Sequence, residues 1–261
     1  MKSIKVFIFL ILCLFINSRQ IHAAEVTNIA LFGIDEQIES VMIFSYNRSA
    51  RKTFLTAIPQ QTLLTLQESN QQQKLHTLQE IPLIIQTLNF NFNLIIDRYV
   101  SVDVHALKAM VDAIGGIEVE LLPEEINEFS KLTHLPIETS GPKLLNGSHA
   151  IAYSKIQGHK SNPYERLERQ QYLTALIGKK VKSYPKVKLI SLITDTLPYF
   201  ETNLMPNEVI TLATQIAFGN NAKLKRIFLP HPELTELKEE TLIPMTLEQN
   251  ILRWKQQIYS S

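Results

Sequence analysis

Short apolar runs and longer stripes of apolar residues at helical spacing alternate along this chain, and the two periods predict different elements. Asn28 to Phe32 is an apolar run that ends at Gly33, followed by Ile34 and Asp35. Val41 to Phe44 and Thr53 to Ile58 are two more, the latter stopped by Pro59, and all three read as strands. Gln60 to Gln73 is polar and glutamine-rich and reads as loop. Ile81 to Leu88 reads as a helix entered through Pro82, and Leu94 to Val100 as a strand. Val104, Leu107, Val111 and Ile114 recur at helical spacing and stop at Gly115-Gly116, a helix with its C-terminal stop signal. Ile117 to Leu121 alternates as a strand does, and Gly141-Pro142 marks a turn.

Asn146 or Ser148 is placed to cap a short helix through Ser154. A long helix is predicted from about Pro163 to Lys182. Its apolar stripe is Leu167, Leu173, Leu176 and Ile177, and three lysines sit near its C-terminal end, where cations suit the helix dipole. Leu189 to Phe200 and Asn207 to Phe218 are amphipathic helices, and Ile227 to Leu229 is a closing strand. Residues beyond Glu233 form a tail or a final helix over Met245 to Tyr259. Helices alternating with strands favour an α/β layered sandwich.

The amino terminus differs from the rest. Lys2 and Lys5 precede an apolar run from Val6 to Ile16, and small residues Ala23 and Ala24 follow a polar stretch. Residues 1–24 read as a secretory signal peptide or an uncleaved membrane anchor. The run is 11 residues, against the ~20 a bilayer-spanning helix needs. Either way the body, 25–232 with the stretch 233–261, is expected outside the cytoplasmic membrane.

Composition narrows the chemistry. The 261 residues carry 26 Lys+Arg against 25 Asp+Glu, a formal charge of +1. No nucleic-acid partner held by bulk positive charge is expected. A single cysteine, Cys13, excludes a disulfide framework and any Cys-based zinc site. Ser45, Ser49 and Ser154 lack a nucleophile-elbow context, no glycine loop precedes a lysine in the phosphate-binding pattern, and the seven histidines show no metal spacing.

Six further patterns occur in a telling order. Gly33-Ile34-Asp35 closes the first strand, Glu39 to Phe44 forms the second, and Ile58-Pro59-Gln60-Gln61-Thr62 ends the third. Tyr99 to Asp103 leads into Val111-Asp112-Ala113-Ile114-Gly115-Gly116-Ile117. Leu144 to Tyr153 contains Leu-Asn-Gly and a later Ala-Ile-Ala-Tyr, and Arg166-Leu167-Glu168-Arg169-Gln170-Gln171 opens the long helix. In this order they resemble the LytR–CpsA–Psr family of bacterial envelope proteins, over roughly Asn28 to Pro230.

The resemblance implies an α-β-α sandwich with a central mixed sheet and a lipid-binding tunnel. It implies transfer of a glycopolymer from a polyprenyl pyrophosphate carrier to a peptidoglycan hydroxyl, forming a phosphodiester at the membrane surface with Mg2+. Arg166, Arg169, Gln170 and Lys155 would hold the pyrophosphate, Asp35 and Glu39 the metal, with Arg166 and Asp35 catalytic. Guanidinium forks grip phosphate oxygens bidentately, and positions i, i+3 and i+4 are neighbours on a helix. The alternative for the arginines is a solvated face paired with Glu165 and Glu168, and Arg169 in particular suits a structural ion pair. Asp35 also reads as a turn aspartate. Leu83, Ile84, Ile85, Leu88, Phe90 and Phe92 would line the tunnel or pack as core.

The sequence departs from the family pattern at several charged positions. Gln37 and Gln60 stand where arginine is expected, Gln61 where aspartate is, Lys155 and Gln157 where an Arg-x-Arg pair is, and Pro163 where an aspartate precedes Arg166. Each lost charged contact costs roughly 1.5–3 kcal/mol. Arg48, His159 and Lys160 are candidates to compensate. The second reading is therefore a catalytically impaired envelope protein that binds polyprenyl phosphate.

Overall fold

The computed structural model describes residues 26–157, 162–218 and 224–259. The segment 1–24, His159 and Lys160 lie outside them. Three strands, β1 (Val26–Asp35), β2 (Gln37–Asn47) and β3 (Lys52–Ile58), form an antiparallel meander. A small hairpin follows, β4 (Leu63–Thr65) with β5 (Gln72–Lys74), inside the stretch read as loop. Helix α1 (Ile81–Phe92) begins with proline in its first turn and leads to β6 (Arg98–Asp103), which lies parallel to β1. Helix α2 (Val104–Ala113) is next, then the hairpin of β7 (Ile117–Leu121) with β8 (Gly141–Leu145), which encloses α3 (Ile126–Thr133).

Helices α4 (Gly147–Lys155), α5 (Glu165–Lys182) and α6 (Lys186–Thr196) precede the short edge strand β9 (Phe200–Thr202). Helix α7 (Pro206–Phe218) leads to β10 (Lys225–Phe228), parallel to β3. A hairpin of β11 (Thr235–Lys238) and β12 (Thr241–Pro244) and a final helix α8 (Leu247–Tyr259) complete the fold. The central sheet is therefore mixed, in the order β10-β3-β2-β1-β6-β9.

Alternation along the strands builds two faces. Ala30, Phe32, Ile43, Phe54 and Ile58 share a core with Ile84, Leu88 and Phe92 of α1 and Trp254 and Ile258 of α8. The apolar stripe of α1 is thus mostly packed inside, with Phe90 half exposed. On the other face Met42, Leu55 and Ala57 meet Leu167 of α5. A neighbouring cluster joins α2, α3, α4 and α5 over the β7–β8 hairpin. The result is three layers, α-β-α. The C-terminal stretch is a helix whose Trp254 Nε1 donates to Thr56 Oγ1 at 2.9 Å inside the first core.

Local chemistry explains the helix ends that position the site. Asp103 caps α2 by accepting the Ala106 N–H, and Asn146 caps α4 by accepting the His149 N–H at 2.9 Å. Gly116 has φ +76° where the chain turns out of α2, a region that favours glycine. At Gly147 space decides instead, since an added Cβ would lie 2.3 Å from the Lys108 carbonyl oxygen. Asp112 binds these parts together, accepting the Gly147 N–H and the Lys108 ammonium at 2.7 Å each.

The Lys108 contact, helped by the Gly147 amide, holds the Asp112 carboxyl below its usual range. A depressed carboxylate contributes stability above the unfolded-state value, and that contribution is lost as pH falls through the folded one. Wild type is therefore expected to lose more melting temperature between neutral and strongly acidic pH than Asp112→Asn does. Parallel melting curves from paired thermal scans would refute this. The group is partly exposed, so the difference is modest.

Candidate functional site

Strands β1 and β6 run parallel and end side by side at Asp35 and Asp103. A crevice beyond the carboxyl ends of parallel strands is the usual place for a ligand in α/β folds. Here it is a cavity of about 410 Å³, walled by β1, β2, α2, α3, α4 and α5. Asp35, Glu39, Lys155, Arg166 and Gln170 all line it.

Each charged group crosses from one wall to another. Lys155, at the end of α4, donates to Asp35 at the end of β1. Arg166 Nη1, in the first turn of α5, donates to Glu39 Oε2 of β2 at 3.2 Å. Gln170 lies one turn beyond Arg166, and its Oε1 is buried without a protein partner. Two more carboxylates line the space, Asp103 and Glu128. Among the described lining residues, four carboxylates against two cations leave two net negative charges. The remaining lining includes Val102, Leu107 and Leu132, so an apolar flank adjoins the charged rim.

Arg169 is elsewhere. Its Nε donates to Glu125 Oε1 at 2.6 Å and its Nη1 to the Ile156 carbonyl at 3.2 Å. Glu125 is 3% exposed, and its other oxygen accepts the Leu122 N–H at 3.0 Å. Arg169 points away from the cavity because successive positions on a helix differ by about 100°, which sets it about 60° from Arg166 and about 100° from Gln170. Glu165 stands 3.8 Å from it, the pairing the alternative reading named. Arg48 is also remote. It follows β2 at the end opposite Glu39, nine residues from it and so about 30 Å away.

Residues 15–256 match the model of the LytR_cpsA_psr family. The chain belongs to this family. It is 26% identical over 194 residues to the polyisoprenyl-teichoic acid–peptidoglycan teichoic acid transferase TagU of Enterococcus faecalis, covering 69% of this chain and 60% of that protein. Against the corresponding TagV of Bacillus subtilis it is 29% identical over 143 residues, covering 53% and 36%. The chain thus spans less than two thirds of the length of each of these relatives. The crystal structure of B. subtilis TagV superposes with a TM-score of 0.72 at 18% identity, covering 91% of this chain and 98% of that one. The structure of TagT bound to LIIa-WTA gives 0.73 at 18% identity, covering 90% and 89%. Both share the α/β architecture with its mixed central sheet.

Three of the places where this member departs from the LytR_cpsA_psr pattern are placed by the structure. Gln60 is buried outside the cavity. Its Nε2 donates to the Ile38 carbonyl at 3.1 Å, and its own carbonyl accepts the His76 N–H at 3.0 Å, so it brackets the third strand's exit to β2. Gln37 is exposed on the β1–β2 turn. Gln157 does line the cavity, where its backbone N–H donates to Glu128 at 2.9 Å.

Asp103 and Glu128 were not singled out as site residues from sequence. Asp103 carries a signal, a cap residue just before a helical stripe, whereas nothing local marks Glu128. Gln171, beside Gln170, is structural: its Nε2 donates to the Leu55 and Ile227 carbonyls at 2.8 Å each, joining α5 to β3 and β10.

Proposed function

We propose that this protein transfers a glycopolymer from a polyprenyl pyrophosphate carrier to a peptidoglycan hydroxyl, at the outer face of the cytoplasmic membrane. The observation that carries the reading is the convergence of Arg166, Gln170 and Lys155 on Asp35 and Glu39 within one cavity. Arg166 supplies a planar fork for two phosphate oxygens, Lys155 a point charge, and Gln170 an amide donor. Both cations must exchange a carboxylate for phosphate when the carrier binds. The apolar flank at Leu107 and Leu132 suits the start of the hydrocarbon chain.

The donor set fits magnesium. A pyrophosphate entering a site with two net negative charges is repelled unless a divalent cation accompanies it. Magnesium is typically held by one or two carboxylates with phosphate oxygens and water completing its shell. Asp35 and Glu39 are the suited pair, because phosphate that draws Lys155 and Arg166 away frees both carboxylates, whereas Asp103 still caps a helix through the Ala106 N–H and Glu128 still holds the Gln157 N–H. When bound there, the ion would neutralise phosphate charge.

In the reaction, the acceptor hydroxyl oxygen bonds to the sugar-side phosphorus. The bridging P–O bond breaks, polyprenyl monophosphate leaves, and the hydroxyl proton passes to water. The enzyme's part is positioning and charge stabilisation, as in phosphoryl transfer generally.

A second reading is supported by Gln60, whose burial outside the cavity leaves fewer cations there than the family pattern supplies. It is a carrier-binding protein without turnover. Incubating purified protein and magnesium with a polyprenyl-pyrophosphate-linked glycan and peptidoglycan separates the two. Release of polyprenyl phosphate that falls in Asp35→Ala supports transfer. Stoichiometric carrier bound without release supports the second reading, and neither carrier nor release overturns both.

A further inference from the structure

The sheet end opposite the cavity has a chemistry of its own. Strand β1 runs from Val26 to Asp35, so its start lies about 30 Å from the cavity. Val26 pairs with Asn47, and Asn47 pairs with Lys52, which places the β2–β3 turn beside the point where the amino-terminal stretch enters the fold. That turn reads Arg48-Ser49-Ala50-Arg51. Arg48 and Arg51 are both exposed, and neither forms an ion pair with a described residue. Lys52 follows them, and exposed Lys225 opens β10, whose first pair is with Phe54 of β3.

Apolar groups lie at the same end of the sheet. Asn28 Nδ2 donates to the Ile95 carbonyl at 3.4 Å, which brings the 94–97 loop to the start of β1. Ile95 is 79% exposed and Phe90 48% exposed. Asn47 Nδ2 donates to the Ile258 carbonyl at 2.9 Å, which brings the end of α8 there too, with exposed Tyr259 and partly buried Lys255. The nearby carboxylate Asp97 is already paired with Arg98 at 3.1 Å. A soluble polyanion has no use for an exposed isoleucine, phenylalanine and tyrosine among cations. A lipid interface uses both kinds of group.

We propose that this end of the sheet, with Arg48, Arg51, Lys225 and Ile95 at its contact points, docks on an anionic lipid bilayer. The apolar run Val6–Ile16 joins the fold at the same end, through Val26. A run too short to span, together with a basic and apolar surface, makes the two weak attachments that stable membrane residence requires.

The test is flotation of the full chain with vesicles of phosphatidylcholine alone or with one quarter phosphatidylglycerol. These vesicles contain no polyprenyl pyrophosphate, so the result is independent of the transferase reading. Wild type is expected to prefer the anionic vesicles and to lose that preference in high salt. Arg48→Gln/Arg51→Gln should bind them about thirtyfold more weakly, from ~1 kcal/mol per cation at the surface. Lys225→Gln, on a different strand, and Ile95→Asp should each weaken binding separately. The positions are exposed, so melting temperatures should match wild type. Equal hold on both vesicle types, or a double variant that binds like wild type, overturns the proposal. So does an Ile95→Asp variant that floats normally while inorganic polyphosphate binds wild type but not the double variant, since the occupant is then a soluble polyanion.

Discussion

Arg166→Ala is expected to lower transfer by about a hundredfold while leaving the fold intact. A lost charged contact is worth roughly 1.5–3 kcal/mol, and 1.36 kcal/mol is a factor of ten in rate. The fold is spared because the Arg166–Glu39 pair is partly exposed, and such pairs contribute little stability. Arg166→Lys should recover only part of the loss, since it restores charge without the fork. Adding Glu39→Gln to Arg166→Ala should lower activity further, because Glu39 then serves the metal. A recovery instead would assign Glu39 to charge pairing with Arg166 alone. Calorimetry with pyrophosphate should show tighter binding in magnesium than in chelator, the result expected from the surplus of carboxylates among the described lining residues.

Arg169→Ala should do the reverse and damage the fold first. Its partner Glu125 is almost completely buried, and removing one member of such a pair leaves an uncompensated charge. Buried pairs broken this way typically cost 3–5 kcal/mol. For a domain of this size that is a fall of about 6–20 °C in melting temperature. Arg169→Leu/Glu125→Leu, which removes both charges, should recover most of the loss. If Arg169→Ala melts like wild type but fails to bind carrier, Arg169 belongs to the site rather than to the fold.

The contrast between these two arginines shows where sequence stops informing. Both stand in the same Arg-x-x-Arg-Gln pattern, and both suit phosphate. Their different angles on the helix and the position of Glu125, 44 residues away in sequence, separate them. Patterns that depend on neighbours were legible: the strands β1 to β3, the Asn146 cap, the Gly115-Gly116 stop and the long helix all follow from period and capping chemistry.

Elements shaped by distant side chains were not legible. Leu94 to Asp97 looks like a strand, but Asn89 accepts the Ile96 N–H at 3.0 Å and donates to the Ile96 carbonyl at 2.9 Å, using the groups a strand partner would use. Asn91 does the same to Thr65, at 2.9 and 2.7 Å, in the stretch read as loop that holds β4. The helix expected to reach Phe200 ends at Thr196 because Pro198 cannot continue it. Fold class and the gathering of Asp35, Glu39, Lys155, Arg166 and Gln170 were thus readable from order and chemistry. The cavity's surplus of negative charge needed the third dimension, since Glu128 arrives from a helix with no motif.

Helix α5 is pinned at three levels. Arg169 holds it to Glu125 and Ile156, Gln171 to both Leu55 and Ile227, and Lys180 to the carbonyls of Gly115 and Gly116. A helix fastened along its length cannot slide or tilt without breaking several bonds at once. Any widening of the crevice must therefore come from its other wall, where the last turn of α3 presents Leu132 before the left-handed residue His134. Of the two walls, α5 is the fixed one.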